Sequence, residues 1–275
     1  MIMRRCLAHS LWAVVIISGL AACGSPDSAV LTEQAGATAT ASSQLAETHV
    51  AATATANVPG GPTPLAGDGP WAVTFQTNDG TTLSGIITGQ GTVGLVFAPM
   101  YPGAKEGWAT FAQAAAQQGY RSLAFDFRGH GESGGSRDIP AQPEDLSAAV
   151  ALLKANGVEQ VVIVGAGPGG MAAIRVAPHD AAIRGIVVVS SARSYDKFEI
   201  TDSDLSALTI PSLWLAARND MTQQVEDLYA HAGGEPKTLW IYEGSSVQGT
   251  YLLEGADGPD MQRRLLEFIA SVVTG

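Results

Sequence analysis

The stretch that decides the fold of this chain is Val161–Met171, which reads Val-Val-Ile-Val-Gly-Ala-Gly-Pro-Gly-Gly-Met. It predicts a buried strand, a tight glycine-rich turn and the start of a helix. Two unrelated devices use such a turn: the G-x-S-x-G bend holds a serine above a sheet, and the G-x-G-x-x-G loop cradles a dinucleotide. Gly165, Gly167 and Gly170 match the second pattern, and the first would need serine at position 167. The rest of the chain favours the first device with its serine replaced.

Outward from this stretch, strands alternate with helices. An alternating pattern around Asn78-Asp79-Gly80 predicts an opening hairpin of strands 71–77 and 82–88. Apolar runs predict buried strands at 93–98, 121–127, 161–164, 186–189, 212–216 and 238–242. Helical spacing and end signals predict helices at 108–118, 144–154, 171–177, 222–231 and 260–273. This order predicts an α/β fold with a mostly parallel central sheet, helices on both faces and an N-terminal antiparallel hairpin.

Three stretches then carry a family resemblance: Leu95–Ala98, Trp108–Tyr120 and the turn Asp126–Ser133, which reads Asp-Phe-Arg-Gly-His-Gly-Glu-Ser. With them, the chain resembles the α/β-hydrolase superfamily, and most of all its small esterases, dienelactone hydrolases and serine aminopeptidases. The resemblance covers nearly all of 70–275. It implies an α/β-hydrolase fold in the domain 67–275, with a minimal lid because segment 192–209 is short.

The resemblance also implies where a catalytic triad would stand, in the order serine, acid, histidine. The nucleophile position is Gly167, which has no side chain to attack with. The base position is Gln248, whose amide has no useful basicity near neutral pH. The acid position is Asp220, which fits, although an N-cap of the helix that follows is the preferred interpretation in the absence of a histidine. We therefore expect no intact triad.

The oxyanion hole of the family is affected as well. One of its donors is the backbone N–H of the residue after the nucleophile. That residue is Pro168, which has no N–H, and losing such a donor typically costs about 2.7–4 kcal/mol of transition-state stabilisation. The second donor would come from the loop at Met100 or Tyr101. Nucleophile, base and one donor are thus absent together.

Several other side chains are candidates for binding a ligand in the crevice above the sheet: Tyr101, Ser190, Ser191, Tyr195 and Ser246, with Phe198 as a further lining residue. Unassisted hydroxyls of this kind are poor nucleophiles.

The remaining polar residues of interest have structural interpretations. The turn Asp126–Ser133 is expected to be held by local hydrogen bonds, with Ser133 and His130 as a displaced nucleophile and base as the alternative. His179 and His231 fall at predicted helix ends, where a histidine faces the C-terminal dipole.

The sequence leaves three hypotheses about the function of the protein. The first is a non-catalytic hydrolase-fold protein that binds a small molecule or a protein partner at the crevice. The second is an active esterase or peptidase that uses unconventional residues. The third is a flavin- or nicotinamide-binding protein, through Gly165, Gly167 and Gly170. This last class needs an acidic residue at the end of the next strand, where the chain has Ser190-Ser191. We expect no cofactor and no metal site.

The N-terminal segment predicts export and anchoring. Residues 1–22 have Arg4 and Arg5 before an apolar core too short for a comfortable span, which indicates a signal peptide. Leu20-Ala21-Ala22-Cys23 resembles the lipobox of bacterial lipoproteins, which implies that Cys23 is acylated and holds the protein on the extracytoplasmic side of a membrane. An ordinary signal cleaved after Ala22 is the alternative.

Segment 23–66 is rich in Ala, Thr, Ser, Gly and Pro, and composition predicts a disordered tether. The net charge of −11 argues against nucleic acid as a partner.

Overall fold

The structure is a computed structural model that describes residues 67–273 and the backbone of Ala54–Thr55. The predicted signal peptide, the Cys23 lipidation site and nearly all of the predicted tether lie outside the described residues. Among residues 67–273, no helix combines the length and the apolar character that crossing a membrane requires.

Among the described residues, nine strands form one sheet and two further strands form a small hairpin. The strands are Ala54–Thr55 (β1), Trp71–Gln76 (β2), Thr82–Thr88 (β3), Val93–Ala98 (β4), Arg121–Phe125 (β5), Gln160–Ala166 (β6), Ile183–Val189 (β7), Ser194–Tyr195 (β8), Phe198–Glu199 (β9), Ser212–Ala217 (β10) and Lys237–Tyr242 (β11). The sheet order is β1-β2-β3-β5-β4-β6-β7-β10-β11. Pairing is antiparallel from β2 to β3 and from β3 to β5, and parallel from β5 through β11. The predicted hairpin and parallel sheet are confirmed.

Helices cover both faces of this sheet. They are Ala109–Gln117 (α1), Gln142–Ala155 (α2), Pro168–Val176 (α3), Asp202–Ala207 (α4), Thr222–His231 (α5) and Gly258–Val273 (α6). One apolar core forms under α2, α3 and α5, with Leu146, Ile174 and Val225 fully buried. A second forms on the opposite face under α1 and α6, with Phe111 and Leu265 fully buried. The central strands are buried on both sides, which explains their continuous apolar runs.

Several boundaries differ from the sequence prediction, and those at the two turns bear on the site. Strand β6 continues to Ala166, and α3 begins at Pro168 rather than at Met171. Proline suits the first position of a helix, since its fixed φ is helical and its missing N–H has no partner to lose there. Strand β5 ends at Phe125, and the chain then enters the Asp126–Ser133 turn. Segment 192–209 contains the β8–β9 hairpin and α4.

Candidate functional site

The turn between β6 and α3 is a sharp bend at Gly167. Its backbone angles are φ 53° and ψ −125°, a region that only glycine enters at little cost. The Gly167 N–H donates to the carbonyl of Val189 at 2.9 Å, and its own carbonyl accepts from Gly170 N at 3.0 Å. The hydroxyl of Ser191 donates to the same carbonyl at 2.8 Å. The bend is therefore fixed by hydrogen bonds although it carries no side chain.

The side chain that Gly167 lacks would point at the loop after β4. A Cβ built on Gly167 would lie 3.3 Å from Met100 Cβ and 4.0 Å from the backbone nitrogen of Tyr101. Because Pro168 follows, the next residue offers no N–H at the bend. Of the two backbone donors predicted to flank this position, only the loop donor exists.

A pocket opens at this bend. It is small, with a cavity volume of about 40 Å³. Its lining residues are Met100, Tyr101, Gly167, Pro168, Met171, Ser190, Ala192, Tyr195, Met221 and Gln248. The structure thus brings together the predicted nucleophile, base and loop positions with two of the predicted ligand-binding tyrosines. Sequence analysis missed Met171, Ala192 and Met221, because a methionine or an alanine gives no signal that separates pocket lining from core.

Two predicted crevice residues do not line the pocket. Ser191 is fully buried and its hydroxyl serves the bend, as described above. Ser246 is exposed on the loop after β11. Phe198, also suggested as lining, is buried beneath the guanidinium of Arg175. The prediction failed at Ser191 because Ser190 adopts φ 48°, which breaks the alternation of side chains at the end of β7.

Ser190 and Gln248 supply uncharged polar groups to the pocket. Ser190 is buried, and its Oγ accepts the N–H of Gly249 at 3.0 Å, which holds the Gln248 loop against the pocket. Gln248 is half-buried and precedes the single-turn helix Gly249–Leu253. Among the described residues, the Gln248 side-chain amide has no hydrogen-bond partner.

Asp220 follows β10 as predicted, but it is not the N-cap of α5. The first helical residue is Thr222, so Met221 occupies the cap position and no side chain caps the helix. The Oδ2 atom of Asp220 is buried without a hydrogen-bond partner in the described part of the chain. Asp220 lines an open groove formed by Arg218–Gln224, and Met221 borders both this groove and the pocket.

The Asp126–Ser133 turn has the structural role expected of it. Asp126 is fully buried and accepts the backbone N–H of Lys105 at 2.9 Å and its Nζ at 2.7 Å. Glu132 accepts the same ammonium at 2.9 Å. The Ser133 hydroxyl donates to the Asp126 carbonyl at 2.6 Å and accepts from Ser84 N at 2.9 Å. Ser133 therefore holds the turn and does not line the pocket.

Lys105 is charged in this network. Burial alone would lower the pKa of its ammonium, but hydrogen bonds to Asp126 and Glu132 outweigh burial and raise that pKa above its ordinary value. The hydrogen bond from Lys105 in turn lowers the pKa of Glu132. Sequence analysis missed Lys105, because a lysine in a polar loop usually indicates an exposed residue.

None of the three histidines discussed above lines the pocket. His130 Nδ1 lies 2.9 Å from the Arg128 carbonyl, and its ring meets the Tyr101 ring edge-on at 5.5 Å between centroids. His231 is the last residue of α5, where its Nδ1 lies 2.8 Å from the Asp227 carbonyl. His179 is exposed at the end of the single-turn helix Ala177–His179.

The rim of the pocket is a cluster of aromatic and charged side chains. The guanidinium of Arg137 lies over the Tyr101 ring, 4.6 Å from its centroid. The same guanidinium makes a 2.8 Å ion pair with Asp196, at the tip of the β8–β9 hairpin. Tyr195, on that hairpin, lies 6.2 Å from Tyr101 between ring centroids. We call Tyr101, Arg137, Tyr195 and Asp196 the rim cluster.

The glycines of the G-x-G-x-x-G pattern are explained by close packing. A Cβ on Gly165 would lie 2.4 Å from the Gly169 carbonyl oxygen, and one on Gly170 would lie 2.1 Å from Ser191 Oγ. The pattern thus reflects the tight approach of β6, α3 and the end of β7. Within residues 67–273, no group of three or more His, Cys, Asp or Glu side chains could hold a metal ion.

Comparisons with known proteins agree with this geometry. The sequence model of a family described as alpha/beta hydrolase fold matches residues 95–234. Among solved structures, an esterase of Pyrococcus furiosus, Pf2001, superposes with a TM-score of 0.65 at 18% identity, over 78% of this chain and 97% of that one. GrgF from Penicillium sp. sh18, an alpha/beta hydrolase, gives 0.66 at 18% identity over 74% and 99%. The hypothetical protein PA2218 of Pseudomonas aeruginosa gives 0.64 at 18% identity over 77% and 96%. No curated protein matches the chain.

Proposed function

Because the chain belongs to the alpha/beta hydrolase fold family, we propose that it is a hydrolase-fold protein without hydrolase activity, whose pocket binds a small molecule. In active members of such a fold, a serine at the bend attacks a carbonyl and a histidine takes the proton of that serine. Two N–H donors hold the oxyanion that forms. This chain has Gly167, Gln248 and Pro168 at those positions.

The observation that carries the proposal is the direction of the missing side chain. A Cβ on Gly167 would face Met100 and the N–H of Tyr101 in the same pocket that Gln248 lines. The positions assigned from sequence therefore converge on one site. The loop donor at Tyr101 is present, but Gly167, Pro168 and Gln248 lack the nucleophile, the second donor and the base that the chemistry needs.

Turnover of p-nitrophenyl acetate tests the proposal. We expect the wild-type chain to release nitrophenol no faster than its Gln248→Ala variant. The triple variant Gly167→Ser, Pro168→Ala, Gln248→His should gain turnover if Asp220, which stands at the acid position of the family and has an unpartnered Oδ2, orients the new imidazole. Adding Asp220→Asn to the triple variant should reduce that gain. A folded but inert triple variant would show that the triad positions are assigned wrongly.

An active hydrolase with unconventional groups is the second candidate, and one observation favours it. The Ser190 hydroxyl is 1% exposed and lies in the pocket beside Gln248. If wild-type turnover is found and Ser190→Ala abolishes it while Ser246→Ala does not, this candidate replaces the first.

We also propose that Cys23 anchors the protein to a membrane through acyl chains, with segment 24–66 as the tether. The support is the sequence Leu20-Ala21-Ala22-Cys23 after an export-type apolar core. Metabolic labelling with an alkyne analogue of palmitate should mark the wild-type chain and not its Cys23→Ser variant, which should leave the membrane fraction. Equal labelling of both chains would reject the anchor.

A further inference from the structure

The chemistry of the pocket wall is apolar and uncharged. Three methionines surround the bend, and a proline and an alanine complete the apolar surface. The polar groups are the Ser190 hydroxyl, the Gln248 amide and the two tyrosines. The ten lining residues given above include no Asp, Glu, Lys, Arg or His. A charged group that entered would leave water without meeting a counter-charge, which is costly.

The two charges of the rim cluster are already paired with each other. Arg137 and Asp196 make their 2.8 Å ion pair across the rim, with 38% and 40% of their side chains exposed. Arg137 also covers one face of Tyr101. A ligand ion that sought either charge would have to break this pair and lift the guanidinium from the ring. The rim cluster therefore offers no free charge for recognising an ion.

The shape of the pocket favours a slender group. Its cavity volume is only about 40 Å³. Because Gly167 has no side chain, its backbone forms part of the floor of the pocket. Methionine side chains are flexible and polarisable, so Met100, Met171 and Met221 can adjust around an alkyl chain.

From these observations we propose that the pocket takes an uncharged molecule with a slender apolar end and one amide, carbonyl or hydroxyl group. The apolar end lies among the three methionines, and the polar group meets the Gln248 amide, which can both donate and accept. This inference rests on the proposed function, since it names the chemical class that the same pocket would bind.

Methionine methyl NMR on the full wild-type chain tests the inference. The chain has six methionines, and Met→Leu variants assign the signals. Met261, on α6, is fully buried and is not a lining residue of the pocket, so it serves as the internal control. The probes share one alkyl chain and differ in head group: hexanamide and 1-hexanol are uncharged, hexanoate is an anion and hexylamine is a cation at neutral pH.

We expect hexanamide and 1-hexanol to shift the signals of Met100, Met171 and Met221 but not that of Met261, and to bind at least about tenfold more tightly than the two ions. The Ala192→Leu variant, which fills the pocket, should weaken binding by a similar factor. Gln248→Leu should reduce the preference for hexanamide over a plain alkane.

The outcomes separate the two claims. If hexanoate or hexylamine binds as tightly as the uncharged probes, the ligand class is wrong and the binding function stands. If no probe shifts the three pocket signals, or if Ala192→Leu changes nothing, the pocket is not a binding site and the proposed function fails with the inference. A shift of Met261 equal to the others would show non-specific association, which also overturns both.

Discussion

Two turns follow strands β5 and β6 of the same sheet, and they differ in the polar side chains that they carry. The turn Asp126–Ser133 after β5 has all the polar groups that brace it, including a buried ammonium between two carboxylates. The bend at Gly167 after β6 keeps its backbone path through three hydrogen bonds but has no reactive side chain. The side chains that hold the shape of the Asp126–Ser133 turn are therefore separate from Gly167, where we propose that the nucleophile of the family is missing.

The largest expected effect lies in the braced turn. Replacing Asp126 by Ala leaves the buried Lys105 ammonium without its main partner, so the free energy of unfolding should fall by about 3–5 kcal/mol. Urea unfolding measures this. The exposed pair Lys154–Asp180 is the matched control, and Lys154→Ala should cost less than about 1 kcal/mol. Equal losses of unfolding free energy in the two variants would show that the contacts of Asp126 with Lys105 do not stabilise the fold more than an exposed ion pair does.

The second prediction compares two glycines of the bend. A Cβ on Gly169 would lie 2.5 Å from the Ala98 carbonyl oxygen and 2.7 Å from that of Pro99, so the backbone must move. Gly169→Ala should destabilise the chain by about 3 kcal/mol. Gly167→Ala meets no atom closer than 3.3 Å and should cost about 1 kcal/mol, through its positive φ.

Thermal unfolding of the two variants checks this order. The reverse order would mean that position 167 has no room for a side chain, and the interpretation of this bend as an emptied nucleophile position would lose its geometric basis.

A smaller effect is expected at the rim cluster. Arg137→Ala removes one exposed ion pair and one cation–π contact, together worth about 1 kcal/mol. The tip of the β8–β9 hairpin should open several-fold more often, which speeds amide hydrogen exchange at Tyr195 and Phe198. Arg263→Ala, on α6, is the control and should leave this exchange unchanged. Unchanged exchange in Arg137→Ala would show that the hairpin does not depend on the rim cluster.

The smallest expected effect concerns pH. Lys105 lowers the pKa of Glu132 below its ordinary value, so this carboxylate contributes stability above that ordinary value and loses the contribution as the pH falls toward the lowered pKa. The stability difference between wild type and Glu132→Gln should therefore shrink between about pH 5 and about pH 3. Urea midpoints across this range measure it, and a constant difference would contradict the assignment.

Much of the architecture could be predicted from the sequence, because strand and helix periods are local. The alternation around Asn78–Gly80 predicts the hairpin, and the continuous apolar runs predict the central strands. The bounds of α5 agree with the prediction at both ends. That Gly167 and Gln248 meet at one pocket could also be predicted, because the order of strands fixes which loops meet at one edge of the sheet.

The predictions that failed concern the direction or the role of particular side chains. Ser190 and Ser191 are adjacent, yet a single positive φ sends one to the pocket and the other to the bend. Asp220 lost its expected capping role because α5 begins one residue later than that role requires. Lys105 is buried only because Asp126 and Glu132 arrive from a distant part of the chain. The contacts of Ser191 and Lys105 are not local in sequence.

The absence of a nucleophile is tested most directly by the intact mass of the purified wild-type chain after treatment with a fluorophosphonate probe, with the Gly167→Ser, Pro168→Ala, Gln248→His variant treated in parallel. We predict that the wild-type mass stays unchanged while the variant gains one probe. A stoichiometric adduct on the wild-type chain would contradict the account, and peptide mapping of the labelled residue would identify the nucleophile.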